Sequence, residues 1–378
     1  MRSNKDDSKN NMIRQDDHET ISNGRLFVVP INTAFGRLTE MADGLFVCSD
    51  IGKRYINIER GGNATRAREK GAWGGDRMKE VVSVSLGSST RNHRIRLNIC
   101  GETVRIVRIG TDGDIRKAKN WIRRLDGRAD AIGLGGIDRY LTIAGKRYPF
   151  RQAESLAREA KCSPVCDGSA LKNTLERDAV LRLERVLGSL QGRRVLLLSA
   201  ADRYGMAETF ADCGAHLTCG DLIYGLGLPM PVQRLSTLRR LATWLLPIVT
   251  RCPIHTLYPV GRAQTQRRPR FTRYFDEADI IAGDYHYLHR YMPDRLYGKI
   301  IVTNTTTEED RAFLKKSGAR LLVTTTPIFG GRSFGTNVME AVIMALSGGV
   351  MRGGQSLWLT RTGIEPQVLP LEIGRAHV

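Results

Sequence analysis

Between residues 193 and 347 short apolar runs alternate with stretches of helical periodicity, and few folds accommodate that order. The apolar runs are 194–199, 216–219, 280–282, 299–304 and 320–324, and residues 205–213, 235–249, 308–317 and 336–346 repeat their apolar positions as helices do. Strands separated by helices pair in parallel through right-handed crossovers. The pattern therefore predicts an α/β fold of two domains, the second a Rossmann-like parallel sheet with helices on both faces.

The first of the two domains is expected to begin at Met78. A strand is predicted over 81–86, a hairpin over 94–99 and 103–109, a helix over 113–125, and a strand over 131–134. A second hairpin turns at Ala144-Gly145, followed by a helix over 152–160, a strand over 164–166 and a long helix over 169–187. These boundaries give an α/β substrate domain over 78–190, a cofactor domain over 191–350 and a tail over 351–378. Residues 1–77 are polar, and codons permitted for Gly74-Gly75-Asp76 include a ribosome-binding sequence ahead of Met78. They are expected to be an upstream over-extension or a disordered arm. Residues 373–378, His377 included, match what a sequencing adapter would encode and are expected not to be native.

Seven cysteines lack the C-x-x-C spacing of a zinc or redox site, so no metal is expected and a reducing, cytoplasmic compartment is. No apolar run is long enough to span a membrane, so no membrane partner is expected. The 58 Lys and Arg against 39 Asp and Glu give a formal charge of +19. That excess is spread along the chain, with one dense cluster at Arg267, Arg268, Arg270 and Arg273. Nucleic acid is therefore not an expected partner, whereas a small acidic substrate or phosphorylated cofactor suits such a field.

Parallel sheets bind ligands beyond the carboxyl ends of their strands, where polar residues and glycines should gather. They gather here at Ser199 and Gly205, at Asp221, at Asp284 and His286, at Thr303 and Asn304, at Thr324, and at Gly335, Thr336 and Asn337. This set is the candidate cofactor site. Asp221, sixteen positions after Gly205, stands near where a dinucleotide fold puts the acid that accepts ribose hydroxyls, which favours NAD over NADP. The first turn, however, carries Gly205 without the rest of G-x-G-x-x-G. In the first domain Lys172 stands in the first turn of a helix, where a cation needs an anionic partner. Asp112 and Asp167 are its candidate partners for proton transfer, with His286 as a second acid or base. Gly87-Ser88-Ser89-Thr90 is similar to the phosphate loop of actin-like ATPases, but Ser85 and Leu86 precede it where those proteins carry a metal-holding Asp.

The segments VVSVSLGSS, RIGTDGD, GLGGIDRY, VCDGSALKNTLER, GDLIYGLGLP, YFDEADIIAGDYHY and GRSFGTNVMEA resemble a bacterial family labelled quinate 5-dehydrogenase, over residues 78–348. The resemblance implies an NAD(P)-dependent oxidoreductase that acts on a ring hydroxyl of a quinate- or shikimate-like acid. Arg332, Arg91 and Arg139 are then candidates to hold the substrate carboxylate. A Rossmann-like transferase or lyase with another nucleotide ligand is the alternative, and a non-catalytic ligand-binding or nucleic-acid-associated protein is the third reading.

Overall fold

The computed structural model describes residues 78–252 and 266–371, together with four short strands at 31–32, 37–41, 45–48 and 55–60. The expectations for residues 1–77 and 373–378 otherwise fall outside the described residues. Two compact units divide the chain, Met1–Arg54 and Tyr55–Val378. In the first, strands β1 (Ile31–Asn32), β2 (Arg37–Met41) and β3 (Leu45–Cys48) pair antiparallel in sequence order.

The second unit holds two sheets. Its first sheet is built from β4 (Tyr55–Arg60), β5 (Lys79–Ser85), β6 (His93–Ile99), β7 (Glu102–Gly110), β8 (Ala131–Gly135) and β11 (Val165–Cys166), with β9 (Tyr140–Ile143) and β10 (Lys146–Pro149) forming a separate hairpin. The order is β4-β6-β7-β5-β8-β11, and β5 runs parallel to both neighbours. Helices α1 (Ile115–Leu125) and α2 (Arg151–Ala157) cover one face, where Val82, Val84, Ile132 and Leu134 meet Ala118, Ile122 and Leu156.

Helix α3 (Ser169–Leu187) leads into the second sheet, made of β12 (Arg194–Leu197), β13 (His216–Cys219), β14 (Ile280–Ala282), β15 (Ile300–Thr303) and β16 (Leu321–Thr324). All five are parallel, in the order β13-β12-β14-β15-β16. Alternate residues explain why both faces need covering. Val195, Leu197, Ile280 and Val302 pack with helices α4 (Tyr204–Asp212) and α5 (Leu235–Val249). Leu196, Ile281, Ile301 and Leu322 face the other way, against α6 (Arg273–Glu277), α7 (Tyr285–Tyr291) and α8 (Glu308–Lys316). The fold is thus α/β with two domains, the second Rossmann-like.

Two boundaries differ from the sequence reading. After the hairpin of β17 (Ile328–Phe329) and β18 (Arg332–Ser333), helix α9 (Thr336–Leu346) does not stay with the second sheet. Its Val338, Met339, Val342 and Ile343 close the open face of the first sheet over Val81, Leu97, Val104 and Ile106. That face is apolar along several strands, and Leu171 and Leu175 at the start of α3 join the same core. The stretch read as a tail is also structured: α10 (Gly354–Thr362) adds Trp358 to the same core, and β19 (Gln367–Pro370) pairs antiparallel with β16.

Candidate functional site

The second sheet reverses direction of winding between β12 and β14, because the chain steps outward to β13 and then back past β12. Open parallel sheets usually take ligands beside the loops at such a point, and here the loop after β12 meets the loop after β14, with Arg203 3.7 Å from Asp284. In the first sheet β5 stands in the same relation to β7 and β8. The turn after β5 faces those loops of the second sheet: Arg91 Nη1 lies 3.1 and 2.9 Å from the two ring nitrogens of His286, in the helix after β14. The loops of the two switch points therefore meet.

Arg91 ends a short 3-10 turn, Ser89–Arg91, capped by Ser88. Its second Nη donates to the Thr305 carbonyl at 3.1 Å and lies 3.4 Å from Asp310. Two further guanidiniums converge on that turn. Arg108, at the end of β7, donates to the Ser88 carbonyl at 2.9 Å and to Ser85 Oγ at 3.1 Å. Arg332, on the β17–β18 hairpin, donates to the Arg91 carbonyl at 3.0 Å. Burial, then Arg91 and Arg332, lower Arg108 to about 10, and burial with Arg91 lowers Arg332 as well. His286 is pushed well below the usual histidine range by burial and by Arg91, so at neutral pH it is an uncharged hydrogen-bond partner, not an acid.

Backbone strain marks both sides of the turn. Asp112, after β7, and Thr305, after β15, have φ of 54° and 48° without being glycine. A β-branched residue in the left-handed region costs energy that surrounding bonds must hold, and such residues collect at functional sites. Asp112 Oδ1 accepts the Ser89 amide at 2.8 Å and Thr305 holds Arg91, so each strained residue fixes the arginine turn.

A second constellation lies where the β8 and β12 loops adjoin. Lys172 Nζ donates to Asp138 at 2.8 Å and to Asp202 at 2.5 Å. The sequence reading paired Lys172 with Asp112 or Asp167; the structure corrects this. Asp112 is taken by Ser89, and Asp167 by the Arg139 amide at 2.7 Å and by Ser169. Only the Ser169 bond is local; the Ser89 and Arg139 amides come from 23 and 28 residues away, so the meeting of loops decides both pairings. Burial alone would lower Lys172, but Asp138 and Asp202 outweigh it and keep the ammonium charged. Lys172 is consequently no base. Asp138 is raised far above the carboxylate range by burial and by Asp202, against the pull of Lys172. Asp202 is held low by Lys172 and Arg203 despite its burial, so the two carboxyls shift in opposite net directions. Behind it Arg203, 4% exposed, pairs with the buried Glu176 and lies 3.7 Å from Asp284.

Other candidates are placed in structural roles. Arg139 bonds Glu154 at 2.8 Å and stands apart from the arginine turn. Asp284 caps α7 through the His286 amide at 3.0 Å, and Asn304 accepts the Tyr285 amide at 3.3 Å. Thr303 Oγ1 donates to the Gly283 carbonyl at 2.8 Å, Ser199 receives the Arg203 amide at 3.2 Å, and Thr324 is fully buried. Gly335, Thr336 and Asn337 go with α9 to the first sheet. Asn337 bonds Ser83 Oγ at 3.1 Å, and a Cβ on Gly168 would stand 2.4 Å from Thr336 Oγ1. Arg108 was missed by sequence reasoning because, as an alternate residue of a strand, it carries no loop signal. Asp138 and Asp202 lie 34 and 30 residues from Lys172, beyond any local spacing rule.

The residues present do not fit a dinucleotide held in the usual manner. Asp221 accepts the Ala200 and Ala201 amides at 3.0 and 2.9 Å, one on each carboxylate oxygen, and so ties down the loop that would cradle the phosphates. The first turn of α4, where a pyrophosphate would rest, is packed against α3: a Cβ on Gly205 would lie 1.8 Å from Asn173 Oδ1. Among the described residues no group of three or more His, Cys, Asp or Glu is arranged to hold a metal, and no helix is long and apolar enough to cross a membrane.

The two sheets define a two-domain α/β protein with facing switch points. The chain belongs to the family described as Domain of unknown function (DUF8754), which matches residues 170–371; a Domain of unknown function (DUF8753) matches residues 80–167. No curated protein matches it. Among solved structures it is similar to a putative malic enzyme (malate oxidoreductase), at 13% identity and TM-score 0.29, over 65% of each chain. It is also similar to GanP, a glucose-galactose binding protein from Geobacillus stearothermophilus, at 9% identity and TM-score 0.32, over 80% of this chain and 100% of that one. The Entamoeba histolytica malic enzyme is similar at 11% identity and TM-score 0.33, over 70% and 57%. The chain thus spans just under two thirds of the putative malic enzyme.

Proposed function

We propose that the junction of the two sheets' loops is the active site of an enzyme that binds a small organic anion at Arg91, Arg108 and Arg332 and transfers a proton through Asp138. One observation carries the reading: three guanidiniums gather on a single turn, Ser88–Arg91, at the point where the loops of both sheets meet. Cations crowded together in a partly buried place repel one another, and an anion removes that penalty. The Asp138–Asp202 pair supplies the chemistry. A carboxyl whose proton affinity is raised by burial can give and take a proton near neutral pH, while Lys172 keeps the partner carboxylate ionised.

A quinate- or shikimate-like hydroxy acid is the first substrate class to test, because the sequence resemblance points to it. Its carboxylate would take the arginines, and a ring hydroxyl the carboxyl pair. Dehydrogenation would require NAD(P) held in a manner other than the usual one. A reducing, cytoplasmic setting is part of the same proposal, supported by free thiols at all six described cysteines.

The experiment is a thermal-shift screen of small carboxylates and phosphates with wild type, Arg332→Gln and Asp138→Asn. A ligand at about a hundred times its dissociation constant stabilises by about 2.7 kcal/mol. Arg332→Gln should lose that response, and Asp138→Asn should retain it while losing turnover. If no anion shifts the wild type, the reading is wrong.

A further inference from the structure

The arginine turn carries more charge than a carboxylate requires. One planar guanidinium meets one carboxylate through two parallel bonds, and a single charge is then balanced. Here three guanidiniums are anchored to four consecutive residues. Arg91 belongs to the turn, Arg108 is bonded to the Ser88 carbonyl at 2.9 Å, and Arg332 is bonded to the Arg91 carbonyl at 3.0 Å. The nearby carboxylates balance only part of that charge. Asp310, 3.4 Å from Arg91, accepts the Thr307 amide at 2.8 Å as part of a capping box, and Asp112 accepts the Ser89 amide at 2.8 Å. Asp112 acts by its charge on Arg108, and Asp310 and Glu309 on Arg332, but burial and the neighbouring Arg91 outweigh them.

The turn is also built to stay where it is. Gly110 permits it to press against the end of β7, since a Cβ there would lie 2.4 Å from the Ser88 carbonyl oxygen. Asp112 and Thr305 hold it from either side in strained conformations. Side chains fixed by their own carbonyl bonds lose little freedom when a ligand arrives.

We propose that the group received by this turn is a phosphoryl group, carried on a small molecule as a monoester, with Arg91, Arg108 and Arg332 as its ligands. The proposal rests on the anion-binding reading of the junction and narrows its substrate class. A phosphoryl dianion presents three outer oxygens and two charges, so the N–H groups that the three guanidiniums have left beside their carbonyl and hydroxyl bonds can be shared among its oxygens. The burial and mutual repulsion that lower Arg108 to about 10 are relieved in proportion to the charge that enters.

The test is calorimetric titration of the full chain with inorganic phosphate and with shikimate at matched ionic strength. Phosphate should bind about tenfold or more tightly than the monocarboxylate, and Arg332→Gln should weaken phosphate by about tenfold or more. Arg240→Gln, an exposed surface change of equal charge, should leave it unaltered. Melting of ligand-free Arg332→Gln should be no lower than wild type, which separates a lost ligand from a lost fold. Shikimate binding that phosphate fails to displace would overturn the phosphoryl assignment and leave the junction reading standing. Equal phosphate binding by wild type and Arg332→Gln would also overturn it, by placing the ion elsewhere. Binding of neither anion would remove both.

Discussion

Replacing Glu340 by Gln should stabilise the protein at alkaline pH and do little at acid pH. Glu340 lies on α9 where the helix closes the first sheet, 9% exposed, and accepts the Ala170 amide at 3.2 Å at the start of α3. Burial, and then the Asp167 carboxylate beside it, push it from the ordinary 4.5 up to about 7. Below 4.5 the folded and unfolded chains both carry the proton, so the group adds no pH dependence there. Above that value the unfolded glutamate ionises first, the folded one keeps its proton until about 7, and stability is lost across the interval. At roughly 1.4 kcal/mol per pH unit the whole interval amounts to about 3 kcal/mol. Glutamine keeps the acceptor for Ala170 and has no proton to lose. Urea unfolding at about pH 5 and about pH 8 should therefore show the variant gaining about 2 to 3 kcal/mol on wild type between the two. An unchanged difference would mean that Glu340 is already ionised in the folded protein, and the burial argument would fail.

Three other substitutions have directions set by the structure. Gly110→Ala forces a methyl against the Ser88 carbonyl and should displace the arginine turn, so anion binding measured by thermal shift should fall at least about tenfold with the fold retained. Glu176→Gln leaves Arg203 buried without its main carboxylate partner, and urea unfolding should show a loss of about 3 to 5 kcal/mol. Thr305→Gly releases a residue held at φ 48° and should raise stability by about 1 kcal/mol by the same assay while weakening the hold on Arg91.

Periodicity made most of the second sheet legible. The runs at 194–199, 216–219, 280–282 and 320–324 became β12, β13, β14 and β16, because strands buried on both faces are continuously apolar. Helix α7 escaped, since Asp284 caps it inside a run of tyrosine and histidine that carries no helical stripe. The home of α9 could not be read either, as a helix with seven buried residues of eleven suits any open sheet face. At the site, Arg91, Arg332, Lys172 and His286 were found from residue type and loop position. Their partners were not, because the Arg91–His286 contact joins residues 195 apart and depends on how the lobes face one another. Asp221 illustrates the converse. Its place at a strand end was correct, but the loop amides of Ala200 and Ala201 claim it, a bond that spacing does not reveal.

Hydrogen–deuterium exchange with and without the anion that gives the largest thermal shift tests the central claim most directly. The junction lies beyond the carboxyl ends of both sheets, whereas a cavity of about 400 Å³ lined by Arg194, His216, Gln233, Tyr274 and Glu277 lies at the opposite ends of β12 and β13. Bound ligand should slow exchange in residues 87–92, 199–205, 283–288 and 303–307 together, since loops of both sheets contribute to one site. Protection confined to the cavity at the amino ends of β12 and β13, or to loops of one sheet alone, would contradict the account.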